Sequence, residues 1–181
     1  MKQQYPIHTI ASAPEESRGA LETTQKQLRF VPNLMAVMAE SPQLVKAFQQ
    51  LTGIASTLTL GPLEREIAQL AIGAEVGCTH CIAFHTMALQ RLRAPETLIR
   101  AVRDGGPLDD ARLAVLRDFA RAVVTGRGDV EPELQQRFFD AGFTPRQALE
   151  IVFLHGMLTL SMYASRLADV PLDGAFEALA S

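Results

Sequence analysis

Apolar residues recur at spacings of three and four positions through most of the chain, which is the pattern of amphipathic helices rather than strands. One example is the run from Leu63 through Ile67 to Ala74. The pattern predicts an all-α, single-domain helical bundle of about seven helices, without a sheet. The approximate helical spans are 15–29, 42–57, 62–75, 79–93, 95–104, 108–125, 131–140 and 145–167.

Proline residues mark the start of several of these helices. Proline suits the first turn because the N–H group that it lacks would have no partner there. The prolines in question are Pro42, Pro62, Pro95, Pro107 and Pro145. Before the last helix, Thr144 and Gln147 have the spacing of a capping box, in which two side chains bind the free backbone N–H groups of a helix start.

The last predicted helix is apolar on more than one side. Leu149, Val152 and Leu167 belong to one stripe, whereas Ile151 and Leu154 point in other directions. A helix that is apolar on most sides must be buried on most sides. We therefore expect it to lie at the centre of the bundle or against a second subunit, and we predict a homo-oligomer.

The length and charge of the chain limit the number of domains and the kinds of partner that we expect. The 181 residues fit one domain, which we place at 15–181, after an extended N-terminal arm at 1–14. Twenty acidic and seventeen basic residues, without a long basic run, argue against a nucleic-acid partner.

The uncharged stretch from Ile151 to Ser165 is shorter than the ~20 residues of a membrane-spanning helix. Residues 1–8 lack the apolar region of a secretory signal, so we expect a cytoplasmic protein.

Both cysteines of the chain lie in one C-x-x-C motif, Cys78-Thr79-His80-Cys81. A reducing compartment makes a purely structural disulfide improbable, and so short a loop would stabilise little. The motif follows Gly77, where one helical pattern ends and the next begins. Thiols in the first turn of a helix are near free N–H groups, which favour the thiolate. This position predicts reactive sulfur.

Two further residues complete a candidate relay. His85 lies four residues after Cys81, on the same face of the predicted helix. Glu66 lies in the preceding helix, at a depth similar to that of His85 if the two helices are antiparallel. Glu66 could then orient His85 and stabilise its protonated form, which gives a Glu-His-Cys relay. Spacing alone leaves open which thiolate attacks first.

Other interpretations of these residues remain open. Cys78, Cys81 and His85 could bind zinc with His80 or Glu66 as a fourth ligand, although no second Cys or His cluster completes a familiar site. Covalent haem attachment would need histidine directly after Cys81, where Ile82 stands. A redox enzyme, a zinc-binding protein and a structural helical oligomer are thus the competing hypotheses.

The five residues Glu66, Cys78, His80, Cys81 and His85 reproduce an E-x11-C-x-H-C-x3-H pattern. In this respect the sequence resembles the alkylhydroperoxidase D (AhpD) core domain, of the carboxymuconolactone decarboxylase-like family. The strong resemblance covers about 31–93. The lactone decarboxylase branch typically lacks the cysteine pair, so the pair argues against a lyase.

The resemblance implies a role for each of the five residues. Cys81 would be the attacking thiolate, activated by His85 and Glu66 through a water, with His80 assisting and Cys78 as the resolving thiol. It further implies a hydroperoxide substrate, a lipoyl or thioredoxin-like reductant, and a dimer, trimer or hexamer. We expect no cofactor and no bound metal. The leading hypothesis is a thiol-dependent hydroperoxide reductase, and the alternative is a general thiol-disulfide oxidoreductase or redox sensor.

Overall fold

The computed structural model describes residues 4–179, which form nine α-helices and one 3-10 helix and contain no strand. The predicted all-α class is confirmed. The α-helices outnumber the predicted total of about seven, and the one at Asn33–Met38 lies outside all eight predicted spans. The α-helices are α1 (Glu15–Leu28), α2 (Asn33–Met38), α3 (Pro42–Ala55), α4 (Pro62–Glu75), α5 (Thr79–Arg91), α6 (Glu96–Asp104), α7 (Ala111–Thr125), α8 (Pro132–Asp140) and α9 (Pro145–Leu167). The 3-10 helix spans Gly174–Leu179.

Most of the predicted helix starts are confirmed, and one is wrong. Pro42, Pro62 and Pro145 occupy the first turns of their helices. The helix predicted to begin at 108, however, begins at Ala111. The Asp110 side chain accepts the backbone N–H groups of the two residues after Ala111 at 2.8 and 3.0 Å, and this carboxylate cap determines the start.

Helix α4 is the centre of the bundle. It packs most extensively against α5 and α7, and its residues from Ile67 to Gly73 are all buried. The rings of Phe119 and Phe143 both stack on that of Phe138, with centroids 4.1 and 4.5 Å away. The pairing of α4 with α5 places the two predicted halves of the relay on adjacent helices.

Helix α9 is buried on one side and exposed on the other. Ile151 and Leu154 are fully buried, whereas the outer stripe that includes Leu149, Val152 and Leu167 is 70, 49 and 72% exposed. By length and composition this helix is long and apolar enough to cross a membrane, but 44% of its most apolar 18-residue stretch is buried inside the protein. The outer stripe is therefore the part of α9 that the single chain leaves uncovered.

Residues near the N-terminal and C-terminal limits of the described range contact the α1–α3 region. Residues 4–13 contain no helix, and His8 Nε2 lies 2.7 Å from Glu40 Oε2. After α9, residues 170–179, which we term the C-terminal segment, run back to α2 and α5. There the Asp173 carboxylate accepts the backbone N–H of Asn33 at 3.0 Å. The 3-10 helix of this segment packs against α5.

Candidate redox site

The turn between α4 and α5 is fixed by backbone and side-chain hydrogen bonds. Gly77 has φ +63°, a left-handed conformation that glycine adopts without steric cost. The Cys78 N–H donates to the Gly73 carbonyl at 2.8 Å. From α9, the Arg166 guanidinium donates to the carbonyls of Val76 and Gly77. These contacts hold the backbone immediately before the first cysteine.

The two cysteines occupy the first turn of α5, as their sequence position predicts. Cys78 is the N-cap residue, and Cys81 lies one turn into the helix. Their sulfur atoms form a disulfide, with the Cα atoms 5.3 Å apart. The Cys81 N–H donates to Cys78 Sγ at 3.3 Å, and both residues are at least 96% buried. A pair that can close a disulfide here can also carry two electrons.

Glu66 and His85 form a direct contact across the α4–α5 interface. Nδ1 of His85 lies 2.8 Å from Oε2 of Glu66, and His85 is 4% exposed. An ionised carboxylate can only accept, so Nδ1 carries the hydrogen and Nε2 is left as the proton acceptor of a neutral ring. Gln69, one turn along α4, lies with Nε2 3.5 Å from the other Glu66 oxygen. The pair has the geometry of an oriented general base.

His80 projects from the same first turn of α5. Its Nε2 atom is buried and has no hydrogen-bond partner within the part of the chain that the structure describes. Asp173 and His80 line the same cavity. Burial raises the pKa of Asp173, and the hydrogen bond from Asn33 N–H and the charge of His80 act in the opposite direction.

A cavity of about 490 Å³ connects these groups. Cys81 lines it and Cys78 does not. The other polar groups of the site line the same space, namely Glu66, Gln69, His80, His85 and Asp173. Much of the remaining wall is apolar, and it includes Leu28, Leu34, Met35, Phe48, Phe84, Met157, Leu158 and Phe176. The cavity can hold a ligand far larger than hydrogen peroxide beside one of the two sulfur atoms.

The remaining histidines lie outside this cavity. His155 on α9 lines a second cavity of about 500 Å³, together with Arg127 and Arg166. Burial lowers the pKa of His155, and its Nδ1 atom is buried without a hydrogen-bond partner among residues 4–179. The same residues contain no group of three or more His, Cys, Asp or Glu side chains placed to hold a metal ion. The zinc site that the sequence left open thus has no ligand set there.

Residues 42–115 match the family model of the Carboxymuconolactone decarboxylase family. The match covers less than half of the chain. It extends from α3 to the start of α7 and contains all five residues of the motif, so the resemblance to this family that the sequence indicates is confirmed for that segment. No curated protein sequence matches the chain.

Solved structures with the same fold cover nearly the whole chain. A peroxidase-related protein with an alkylhydroperoxidase AhpD core, from Ralstonia eutropha JMP134, has a TM-score of 0.85 at 21% identity, over 98% of this chain and 95% of its own. A peroxidase-related protein from Silicibacter sp. TM1040 has a TM-score of 0.81 at 21% identity, over 98 and 94%. A cysteine-to-alanine variant of the debrominase Bmp8, in complex with 2,3,4-tribromopyrrole, has a TM-score of 0.84 at 16% identity, over 99 and 96%. These likenesses identify the fold as that of the AhpD-like proteins.

The structure brings the five sequence-predicted residues together around the first turn of α5, and it adds two that the sequence did not indicate. Gln69 could have been found by its i+3 spacing from Glu66 on a helix. Asp173 had no such signal, because it is ninety-two residues from Cys81 and reaches the cavity only through the course of the C-terminal segment.

Proposed function

We propose that the protein is a thiol-dependent hydroperoxide reductase that uses Cys81 and Cys78 as its redox pair. The observation that carries the proposal is the cavity that joins Cys81 to an oriented His85–Glu66 pair. Thiolate attack needs a base near the thiol and space for the substrate at the sulfur. Both requirements are met on one side of the disulfide.

The Glu66–His85 pair would generate the nucleophile. In the reduced protein, His85 Nε2 accepts the Cys81 proton, and Glu66 stabilises the resulting imidazolium through its contact with Nδ1. The thiolate then attacks the terminal oxygen of the hydroperoxide. The S–O bond forms, the O–O bond breaks, and the departing alkoxide takes up a proton to leave as an alcohol.

Cys78 would resolve the oxidised sulfur. Its thiol attacks the sulfenic acid of Cys81, which forms the disulfide and releases water. One feature supports Cys81 as the attacking residue and Cys78 as the resolving one: Cys81 lines the cavity, whereas Cys78 does not. A dithiol then reduces the disulfide by thiol exchange and restores both thiols.

The partners follow from this cycle. We propose that a lipoyl or thioredoxin-like protein is the reductant, and that the protein works in the cytoplasm, where such thiols are kept reduced.

We further propose a homo-oligomer, because the exposed Leu149, Val152 and Leu167 form an apolar stripe that a second copy of the chain would cover. No bound cofactor is needed, since the cysteine pair itself accepts and returns the electrons.

The decisive experiment is hydroperoxide consumption with dihydrolipoamide as reductant, in wild type, Cys81→Ser and Cys78→Ser. We expect Cys81→Ser to abolish turnover. Cys78→Ser should still react once per chain and accumulate a sulfenic acid that a dimedone-type probe labels. Wild-type turnover no faster than that of Cys81→Ser would refute the proposal. If the protein instead reduces a mixed protein disulfide orders of magnitude faster than peroxide, the general thiol-disulfide oxidoreductase is correct.

A second candidate is thiol-driven removal of a halogen from an aromatic compound. The observation that favours it is the size of the cavity, with Phe48, Phe84 and Phe176 in its wall, beside a cysteine. One of the solved structures with this fold is a debrominase bound to a brominated pyrrole. In this reaction the two thiols would supply two electrons, so that an aryl bromide and the dithiol yield the arene, bromide, a proton and the disulfide. Bromide release from tribromopyrrole, measured beside peroxide consumption, decides between the two reactions.

A further inference from the structure

The cavity that His155 lines is separate from the redox site. It has a volume of about 500 Å³, lies between the C-terminal end of α7 and α9, and shares no lining residue with the cavity at Cys81. Two guanidinium groups line it, those of Arg127 and Arg166. Among residues 4–179, no aspartate or glutamate belongs to its wall. The charge that surrounds this cavity is therefore positive.

Arg127 is presented by a tight turn that follows α7. It has φ +54°, a left-handed conformation that costs free energy in a residue other than glycine. Its N–H donates to the Val124 carbonyl at 3.2 Å. A Cβ atom at Gly126 would lie 1.9 Å from the Asp129 carbonyl oxygen, so the turn requires glycine there. These constraints fix the backbone from which the Arg127 side chain reaches the cavity.

Arg166 lines the cavity from α9. Its guanidinium donates to the carbonyls of Val76 and Gly77, which are neutral groups. Within the described part of the chain, neither Arg166 nor Arg127 forms an ion pair with a carboxylate, whereas Arg112 is paired with Glu64. Two positive charges at one cavity thus have no counterion among residues 4–179.

The rest of the wall is largely aliphatic. A guanidinium group binds a carboxylate through two parallel N–H···O hydrogen bonds, which are stronger than hydrogen bonds between neutral groups. Aliphatic side chains bind an apolar body, because contact with them removes its surface from water. The volume is also in the range of pockets that bind small molecules. The aliphatic residues in this wall are Val76, Val123, Val124, Val152 and Met162.

We propose that this cavity is a second binding site, which takes a small organic carboxylate. Arg127 and Arg166 bind the carboxylate group, and the aliphatic residues contact the apolar body of the ligand. The site stands independently of the redox chemistry at Cys81, since the two cavities are lined by different residues.

The test is calorimetric titration of the protein with benzoate, benzamide and inorganic phosphate. Benzamide has the ring of benzoate without its charge, and phosphate has charge without an apolar body. Arg127→Gln removes one guanidinium group from the cavity and leaves the hydrogen bonds of Arg166 in place. Arg93→Gln is the matched control, because Arg93 is also exposed and left-handed, with φ +60°, but lies outside the cavity.

We expect saturable binding of benzoate, with benzamide and phosphate each bound about 10-fold more weakly or less. Arg127→Gln should weaken benzoate binding by about 10-fold or more, because a hydrogen bond between two charged groups is lost. Arg93→Gln should bind benzoate as wild type does. In the NMR spectrum of wild type, benzoate should move the imidazole signal of His155, which is assigned by its absence in His155→Gln.

Several results would overturn the inference. Wild type that shows no saturable binding of benzoate at millimolar concentration would refute it. Equal affinity in wild type and Arg127→Gln, or a His155 signal that stays in place at saturation, would mean that benzoate binds elsewhere. Benzamide or phosphate bound as tightly as benzoate would exclude an organic carboxylate as the ligand class. The comparison of the three ligands uses wild type alone, so it does not depend on the stability of a variant.

Discussion

Gly73 on α4 lies directly against Cys81 on α5. A Cβ atom at position 73 would come within 2.8 Å of the Cys81 Cβ, a distance that real side chains do not adopt. The Gly73 carbonyl also accepts the Cys78 N–H. The missing side chain of this glycine therefore lets the two helices approach closely enough for α4 to hold both cysteines.

Gly73→Ala should therefore push α5 away from α4 at the cysteine pair. We expect a loss of about 1–3 kcal/mol in the free energy of unfolding, as for other overpacked cores, together with lower hydroperoxide turnover. Urea unfolding and turnover are the measurements. Gly19→Ala on α1 is the control, because a Cβ there meets nothing within 4 Å. A Gly73→Ala protein as stable as Gly19→Ala would contradict the packing argument.

Glu66→Gln should disable the base without disturbing the fold. The amide keeps the size of the side chain but cannot stabilise the His85 imidazolium. We expect kcat/KM for a hydroperoxide to fall by about 10²–10⁴-fold, the usual contribution of a general base. His85→Gln should show a similar loss, and the double variant should be little worse than either. The exposed change Glu133→Gln serves as the control. Near-normal kcat/KM in Glu66→Gln would remove Glu66 from the mechanism.

Acid should destabilise the protein partly through His155. Its pKa is lowered in the folded state by burial, so the unfolded chain binds more protons at mildly acidic pH. Stability due to this group is present above the ordinary histidine pKa of about 6.5 and decreases as the pH falls below it. We expect His155→Gln to show a smaller decrease in urea midpoint between pH 7.5 and 5 than wild type. An equal decrease in both proteins would show that His155 takes no part in it.

The outer stripe of α9 should be a subunit contact. Leu149 and Leu167 are 70 and 72% exposed in the single chain. The double change of Leu149 and Leu167 to Glu would place two charges in an apolar interface and should yield monomers in sedimentation velocity. Leu92→Glu changes a 45% exposed leucine at the end of α5 and should leave the assembly unaltered. A wild type that sediments as a monomer at micromolar concentration would contradict the proposed oligomer.

Local signals determine most of the helices. Pro62 and Pro145 begin their helices where the sequence predicts, because proline needs no partner for an N–H group and already has a helical φ angle. Helix α2 was not predicted, although Pro32 is its N-cap residue. It is only six residues long, and it is stabilised by burial of Met35 and Val37 rather than by its own hydrogen bonds.

The sequence alone determines that Cys81 and His85 lie on one face of α5, since a helix repeats every 3.6 residues. Only the tertiary structure determines which residues from other parts of the chain lie beside Cys81 and His85. The 2.8 Å contact of His85 with Glu66 depends on how closely α4 and α5 pack, and that in turn depends on Gly73. Asp173 joins the cavity because the C-terminal segment runs back across α2 and α5. Helical periodicity acts over a few residues. These contacts join distant parts of the chain, and they depend on which helix surfaces are buried and how closely their side chains fit together.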